Sequence, residues 1–262
     1  MKVPVTQEEK RLSYYKYYER DLAPISEEGL KRMEAGPEDP SRLLPFDRRN
    51  DFIKGQDQEF CQNGFGIFED GTGTVCTRMF MPRVTPEMLD WWFPWHSVGS
   101  DLRYKIWDPE DHYFVYAHPA EKVLDPSVPV RQKTWGITHY LMENVGRDPQ
   151  FVQIRFARPK DAGIDEALIG TEFCAGLVCG FGRGRGALMI HKWYPEKDGV
   201  IFQSRFWNGW GIKEDGTPGR TLPEGITFPV EICKAIFAHS LKEYTNLSSF
   251  LPELYEEEKD NW

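Results

Sequence analysis

The chain reads as an α+β protein, in which a curved antiparallel sheet carries one long helix across it. Three observations predict that arrangement. From about residue 60 the hydrophobic pattern is that of short strands divided by turn residues. A single long helical pattern, starting near Pro229, closes the chain, and no internal repeat or low-complexity tract interrupts the series. At 262 residues this is one large domain, or one domain with an appendage, long enough to bury a substantial core.

Taken in order, the first residues hold two helical stretches, EEKRLSYYKYYERDL and SEEGLKRMEAG, followed by the Pro-rich run PEDPSRLLPFDRR. Residues 1–55 are therefore expected to form a helical extension and residues 56–262 the main domain. Tyr14, Tyr15, Tyr17 and Tyr18 cannot all face water comfortably, which points to a contact between subunits; packing within the chain explains them equally well. GFGIFEDGTGTVCTRMFMP reads as a hairpin around Asp70-Gly71. TPEMLDWWFPWH has Thr85 at the N-cap and Pro86 at the first helical position, hence a helix. HYFVYA, THYLMENVG, QIRFAR, GALMIHKWY and VIFQSRFW are further strands. GFGRGRG echoes a nucleotide-binding loop but lacks the fitting Lys-Ser/Thr and lies between strands, so a hairpin is expected, with Arg183 and Arg185 free to touch an anionic group. The last helix is expected to kink or end around Pro252.

Composition excludes several classes. The net charge of −9 removes nonspecific attraction to nucleic acid. No stretch approaches the length of a membrane span, and MKVPVTQEEK lacks the apolar segment of a signal peptide, so a cytoplasmic location is expected. The five cysteines are scattered and form no C-x-x-C pair. Cys174 and Cys179 fall on opposite faces of a strand. Free thiols are expected rather than a disulfide framework or zinc ribbon. The many aromatic residues suit a pocket for a flat ligand and equally an ordinary core.

The C-terminal run AIFAHSLKEYTNL raises the functional question. Steps of three and four place Ile232, Ile236, His239, Glu243, Leu247, Phe250 and Leu254 on one stripe. Two ionisable groups thus sit where burial is expected, and a buried carboxylate needs a partner, a hydrogen bond or a metal. A buried His–Glu ion pair or a helix wet on that side fits the same pattern, since Phe237, Leu241 and Tyr244 form a second apolar line. Elsewhere, alternation in GITHYLMENVG puts Ile137, His139, Leu141 and Glu143 on one face, and His112 opens a strand after an acidic turn. Two histidines and two carboxylates on three elements could satisfy zinc.

The block TPEMLDWWFPWHSVGSDLRYKIWDPEDHYFVYA, continued by THYLMENVG, SRFWNGW and AIFAHSLKEYTNL, resembles the acylphloroglucinol hydrolases, the family of 2,4-diacetylphloroglucinol hydrolase and phloretin hydrolase. The resemblance covers most of the chain from about residue 75. It implies a helix-grip (Bet v 1-like) fold, a large cavity, an N-terminal extension with homodimer contacts, and Zn2+ held by His112, Glu143, His239 and Glu243. The implied reaction is hydrolysis of the carbon–carbon bond between a phloroglucinol ring and its acyl group, with a small aromatic ketone as substrate. The ring is expected to be protonated first at the acyl-bearing carbon, so that it departs as an enolate. Tyr104 is expected to hold a ring hydroxyl, and His191 to bind substrate and carry a proton, since a free imidazole titrates near neutrality. Glu143 or Glu243 could double as a base on leaving the metal, and His96 and His139 stand near. His96 could orient a ligand or cap its helix. Val115 replaces the amide expected in diacetylphloroglucinol-cleaving members, which leaves room for a bulkier acyl chain. A ligand carrier with the same cavity and a zinc hydrolase of esters or amides are the competing expectations.

Overall fold

The computed structural model describes residues 1–146, 148–182, 186–213 and 216–262. Eight strands form a single antiparallel sheet: β1 (Gly64–Ile67), β2 (Gly73–Pro82), β3 (His112–His118), β4 (Thr138–Glu143), β5 (Gln150–Ala157), β6 (Gly176–Gly182), β7 (Ala187–Glu196) and β8 (Gly199–Asn208). Their order across the sheet is β1-β2-β8-β7-β6-β5-β4-β3, which leaves β3 as one edge. A two-stranded ribbon, β9 (Trp210–Ile212) with β10 (Pro218–Arg220), stands apart. The helices are α1 (Tyr15–Glu19), α2 (Glu27–Glu34), α3 (Arg49–Lys54), α4 (Pro86–Trp95), α5 (Leu102–Lys105), α6 (Ala120–Leu124) and α7 (Val230–Glu258). The expected α+β helix-grip arrangement is what forms: α7 lies on β1 and β2, and the curved sheet closes a space beneath it.

Local chemistry accounts for the landmarks. The β1–β2 turn follows the prediction: Phe68 and Thr72 are joined through backbone, Asp70 Oδ1 accepts from the Thr72 amide, and Gly71 sits at φ 84°, where a side chain would be strained. Thr85 precedes α4 and Pro86 opens it. Pro229 is the N-cap of α7, and the helix runs through Pro252 instead of ending there. Its other face is apolar, with Phe237, Leu241 and Leu251 buried, so packing holds the helix where local propensity would break it.

Of the two readings of the first tyrosines, packing within the chain is met by three of them, while the cysteine expectation needs adjustment. Tyr14, Tyr17 and Tyr18 are buried in the same core as Trp92, Trp95 and Phe250; Tyr14 meets Trp95 edge-on at 5.4 Å, and Tyr17 packs on Phe250 at 5.6 Å. Their burial is thus met within the chain. Cys174 and Cys179 do not sit on opposite faces of one strand, because β6 begins only at Gly176; both enter one apolar cluster. All five cysteines are free thiols, as expected. Among the described residues no helix is long and apolar enough to cross a membrane. Arg183 and Arg185 lie outside the described residues.

Candidate active site

Two pairs of side chains meet where α7 passes the free edge of the sheet. His112 on β3 and Glu143 on β4 are direct cross-strand partners. His239 and Glu243 are one helical turn apart on α7, on the buried stripe. An irregularity between His112 and Phe114 inserts an extra residue into β3. Without it His112 would share a face with Phe114 and with exposed Tyr116. With the bulge it points inward alongside Val115 and Ala117.

The donor atoms converge. His112 Nε2 lies 3.3 Å from His239 Nε2, 3.6 Å from Glu243 Oε2 and 3.9 Å from Glu143 Oε2; His239 Nε2 lies 3.8 Å from Glu243 Oε2. Donors about 2.0–2.2 Å from one tetrahedral centre stand roughly 3.3–3.6 Å from one another. Two of these separations fall in that range and the other two are slightly longer; all the His–Glu ones are too long for direct hydrogen bonds, which suits a shared cation better. The ring nitrogens agree. His112 Nδ1 is 3.2 Å from the Tyr104 carbonyl, to which it can only donate, and this leaves Nε2 as a bare lone pair facing the other imidazole. His239 Nδ1 faces the acidic turn, 3.9 Å from Asp108 Oδ2 and 3.8 Å from Asp111 Oδ2. A metal-bound histidine is commonly oriented through its second nitrogen by such a carboxylate.

Electrostatics tell the same story. Burial lowers the His112 imidazole well below its ordinary value, helped by the neighbouring His239. Burial also acts to lower His239, but Asp111, Glu243, Glu143 and Asp108 outweigh it and raise that ring to about 9. Burial pushes the Glu243 carboxyl up to about 8 against the pull of His239. The pocket therefore calls for positive charge. Asp108 was missed at the sequence level; with His112 and His239 it forms another possible metal triad, its donor atoms within 4.8 Å. Its carboxylate, however, is 3.0 Å from Lys242 Nζ and lies behind His239, on the Nδ1 side. An orienting role is the better fit. Only its place in the acidic DPED turn hinted at it.

Around the donors, Trp107 anchors the turn to α7 by donating its indole N–H to the Glu243 carbonyl at 3.1 Å. Tyr104 stacks on His112 with ring centres 3.9 Å apart and donates its hydroxyl to Glu143 Oε2 at 2.5 Å. Burial, then the charge of Glu143, holds its phenol well above the ordinary range and therefore protonated. The donors open onto a cavity of about 410 Å³ between α7 and the sheet, within the range of small-molecule sites.

His191, His96 and His139 line this cavity without joining the four donors. His191 stacks on Phe93 at 5.6 Å. Burial takes its imidazole down to about 3, so the expectation of a group titrating near neutrality gives way to a neutral ring. His96 is the C-cap of α4 and donates Nδ1–H to the Trp92 carbonyl at 2.9 Å, which accounts for it as a capping residue. Burial likewise pushes it down to about 4, and His139 well below its usual value. Val115 is packed in the core and is not among the cavity-lining residues, so the expectation that it makes room there gives way, and the width of the cavity is set by other side chains, Met189, Phe206 and Ile236 among them.

Comparison with known proteins adds the following. Residues 43–256 match the family described as DAPG hydrolase PhiG domain. The chain is 56% identical over 263 residues to the phloretin hydrolase of Eubacterium ramulus, covering 100% of this chain and 96% of that protein. It is 26% identical over 270 residues to the 2,4-diacetylphloroglucinol hydrolase of Pseudomonas protegens, covering 93% of this chain and 84% of that protein. Among solved structures, Ara h 8.0201 aligns with a TM-score of 0.42 at 11% identity, over 70% of this chain and 99% of that one.

Proposed function

The chain belongs to the DAPG hydrolase PhiG domain family, and from that premise we propose that it hydrolyses the carbon–carbon bond joining a phloroglucinol-type ring to its acyl group. One observation carries the reading: four metal-type donors converge beside a protonated tyrosine at the end of an otherwise apolar, aromatic-walled cavity. The identity shared with a phloretin hydrolase along the whole chain supports a substrate with a long arylalkanoyl group.

The residues proposed to hold the metal are His112, Glu143, His239 and Glu243, with Asp108 and Asp111 behind His239. When bound, zinc supplies Lewis acidity toward the acyl carbonyl and a water acidic enough to attack near neutral pH. The chain's own groups deal with the ring. An aryl carbanion is a poor leaving group, so the ring must first become its keto tautomer, which moves a proton from a ring hydroxyl to the acyl-bearing carbon. Tyr104 and Glu143 share a hydrogen over 2.5 Å and can take the one proton while returning the other. Phe93 and Trp107 offer flat walls for the ring, and His191 enters as a neutral imidazole that binds an oxygen of the substrate.

A non-catalytic carrier has no need of two histidines and two carboxylates buried together, where unpaired charge is costly. The deciding experiment couples metal analysis to incubation with phloretin and with monoacetylphloroglucinol, following release of phloroglucinol. Tight binding of both ketones with no release, at full metal content, overturns the hydrolase in favour of the carrier.

A further inference from the structure

His191 does not stand alone in the cavity wall. Ser204 is its direct cross-strand partner on β8, and Ser204 Oγ lies 2.8 Å from His191 Nδ1. Tyr244 of α7 donates its hydroxyl to the same serine oxygen at 3.4 Å. Ser204, Tyr244 and His191 are 0%, 1% and 3% exposed, so their hydrogens must be placed on protein partners, which for the Tyr244 phenol include Ser240 and Glu243 as well.

Counting the hydrogens between the phenol, the serine and the ring favours one direction. A phenol and a serine hydroxyl each carry one. With that of Tyr244 on Ser204 Oγ, the Ser204 hydrogen needs an acceptor of its own, and His191 Nδ1 is in reach at 2.8 Å. The opposite arrangement, with Nδ1–H donating to Ser204, would leave the serine oxygen accepting twice and its own buried hydrogen without a partner. Burial keeps a second proton off the ring. The ring cannot swing away, because Phe93 and Phe202 flank it at 5.6 Å and 5.8 Å and Phe206 meets its edge at 5.7 Å.

We propose that Ser204 and Tyr244 are positioning residues that hold His191 in the Nε2–H tautomer, making it a fixed hydrogen-bond donor to an acceptor oxygen of the bound ketone. The relay runs from the helix that carries two of the metal-type donors, through the sheet, to the cavity. His191 thereby serves as a neutral donor for a carbonyl or enolate oxygen on which negative charge builds. The substrate part of this inference rests on the acylphloroglucinol reading; the tautomer does not.

The test is long-range 1H–15N NMR of the histidine rings in the metal-loaded protein, with His191 assigned by the signals lost in His191→Gln. An unprotonated Nδ1 and a protonated Nε2 are expected. Ser204→Thr keeps both signals, and Ser204→Ala shifts them toward the other tautomer. With a cleaved substrate, Ser204→Ala is expected to lower kcat roughly tenfold or more with little change in KM, and Ser204→Thr to restore it. A protonated Nδ1 in the unaltered protein overturns the proposal, as do ring shifts unaffected by Ser204→Ala. The spectra need no substrate, so a protein that cleaves no acylphloroglucinol would sink the proposed reaction and leave the tautomer to be judged separately.

Discussion

His112 and Glu143 face each other across the last two strands of the sheet, and only the additional residue at Tyr113 turns His112 to the inside. This pair and the His239–Glu243 pair of α7 reach one point from three elements, two strands and a helix, with different periodicities. If the four hold zinc, the purified protein contains about one zinc per chain. His239→Ala and Glu243→Ala each then lower that content steeply. Undiminished metal content in both variants, measured by atomic emission on the folded protein, would remove the assignment.

Asp108 is expected to act through His239. Asp108→Asn should weaken metal affinity by about 10–100-fold while circular dichroism stays native. If Asp108 were itself a ligand and Glu143 were not, Glu143→Gln would retain metal where Asp108→Asn loses it. Competition with a chromogenic chelator separates the two.

Ketonisation before cleavage makes a chemical demand on the substrate. Methylating the hydroxyls that flank the acyl group should abolish turnover while the ligand still quenches tryptophan fluorescence. Tyr104→Phe should lower kcat by roughly 10²-fold with metal content unchanged. Rapid cleavage of the fully O-methylated ketone, or of simple phenyl esters, would point to an ordinary zinc esterase.

Three neutral imidazoles around the cavity tie stability to pH. Burial lowers His191 to about 3, His96 to about 4 and His139 well below its usual value. The unfolded chain therefore takes up protons below about pH 6.5 that the folded chain does not. Their contribution is present above that pH and is lost as the pH falls toward 4. Each such histidine steepens the dependence by up to about 1.4 kcal/mol per pH unit. His139→Phe, which can keep the packing on Phe156, should flatten the acid limb of a plot of unfolding free energy against pH, both proteins being chelator-treated. An unchanged slope would mean that His139 is protonated in the fold.

Tyr14, Tyr17 and Tyr18 cover core residues of their own chain. A chain beginning at residue 45 should therefore lose cooperative unfolding or melt well below the intact protein, because Trp95 and Phe250 become exposed. Light scattering on the intact chain addresses separately the homodimer that the family resemblance implies. A truncated protein melting at the original temperature would show the segment to be dispensable.

The sequence made the sheet-and-helix order legible because each strand carries its own alternation and turn residues, and because 3.6-residue spacing exposed His239 and Glu243 on an apolar stripe. Glu143 followed from the alternation of β4. His112 did not: its inward direction depends on a bulge, and period-two reading through HYFVYA assigns it to the wrong face. The state of His191 was likewise hidden, since desolvation depends on Phe93, Phe202 and Phe206, which come from other segments. The tyrosines of the first segment showed the need for burial but not the surface that provides it.

The position of β3 at the margin of the sheet has a mechanical side. A marginal strand is paired to another strand along one flank only, so it can peel while the strands behind it stay paired. The outer flank of β3 is tied to a loop, where the Ala117 amide donates to the Ser97 carbonyl at 2.9 Å. Whatever His112, Glu143, His239 and Glu243 grip in common fastens that loose margin to the C-terminal helix, bridging segments more than a hundred residues apart in the chain. The same contact would then act as a rivet: stripping it should quicken amide exchange in β3 first, leaving β7 and β8 in the middle of the sheet nearly untouched.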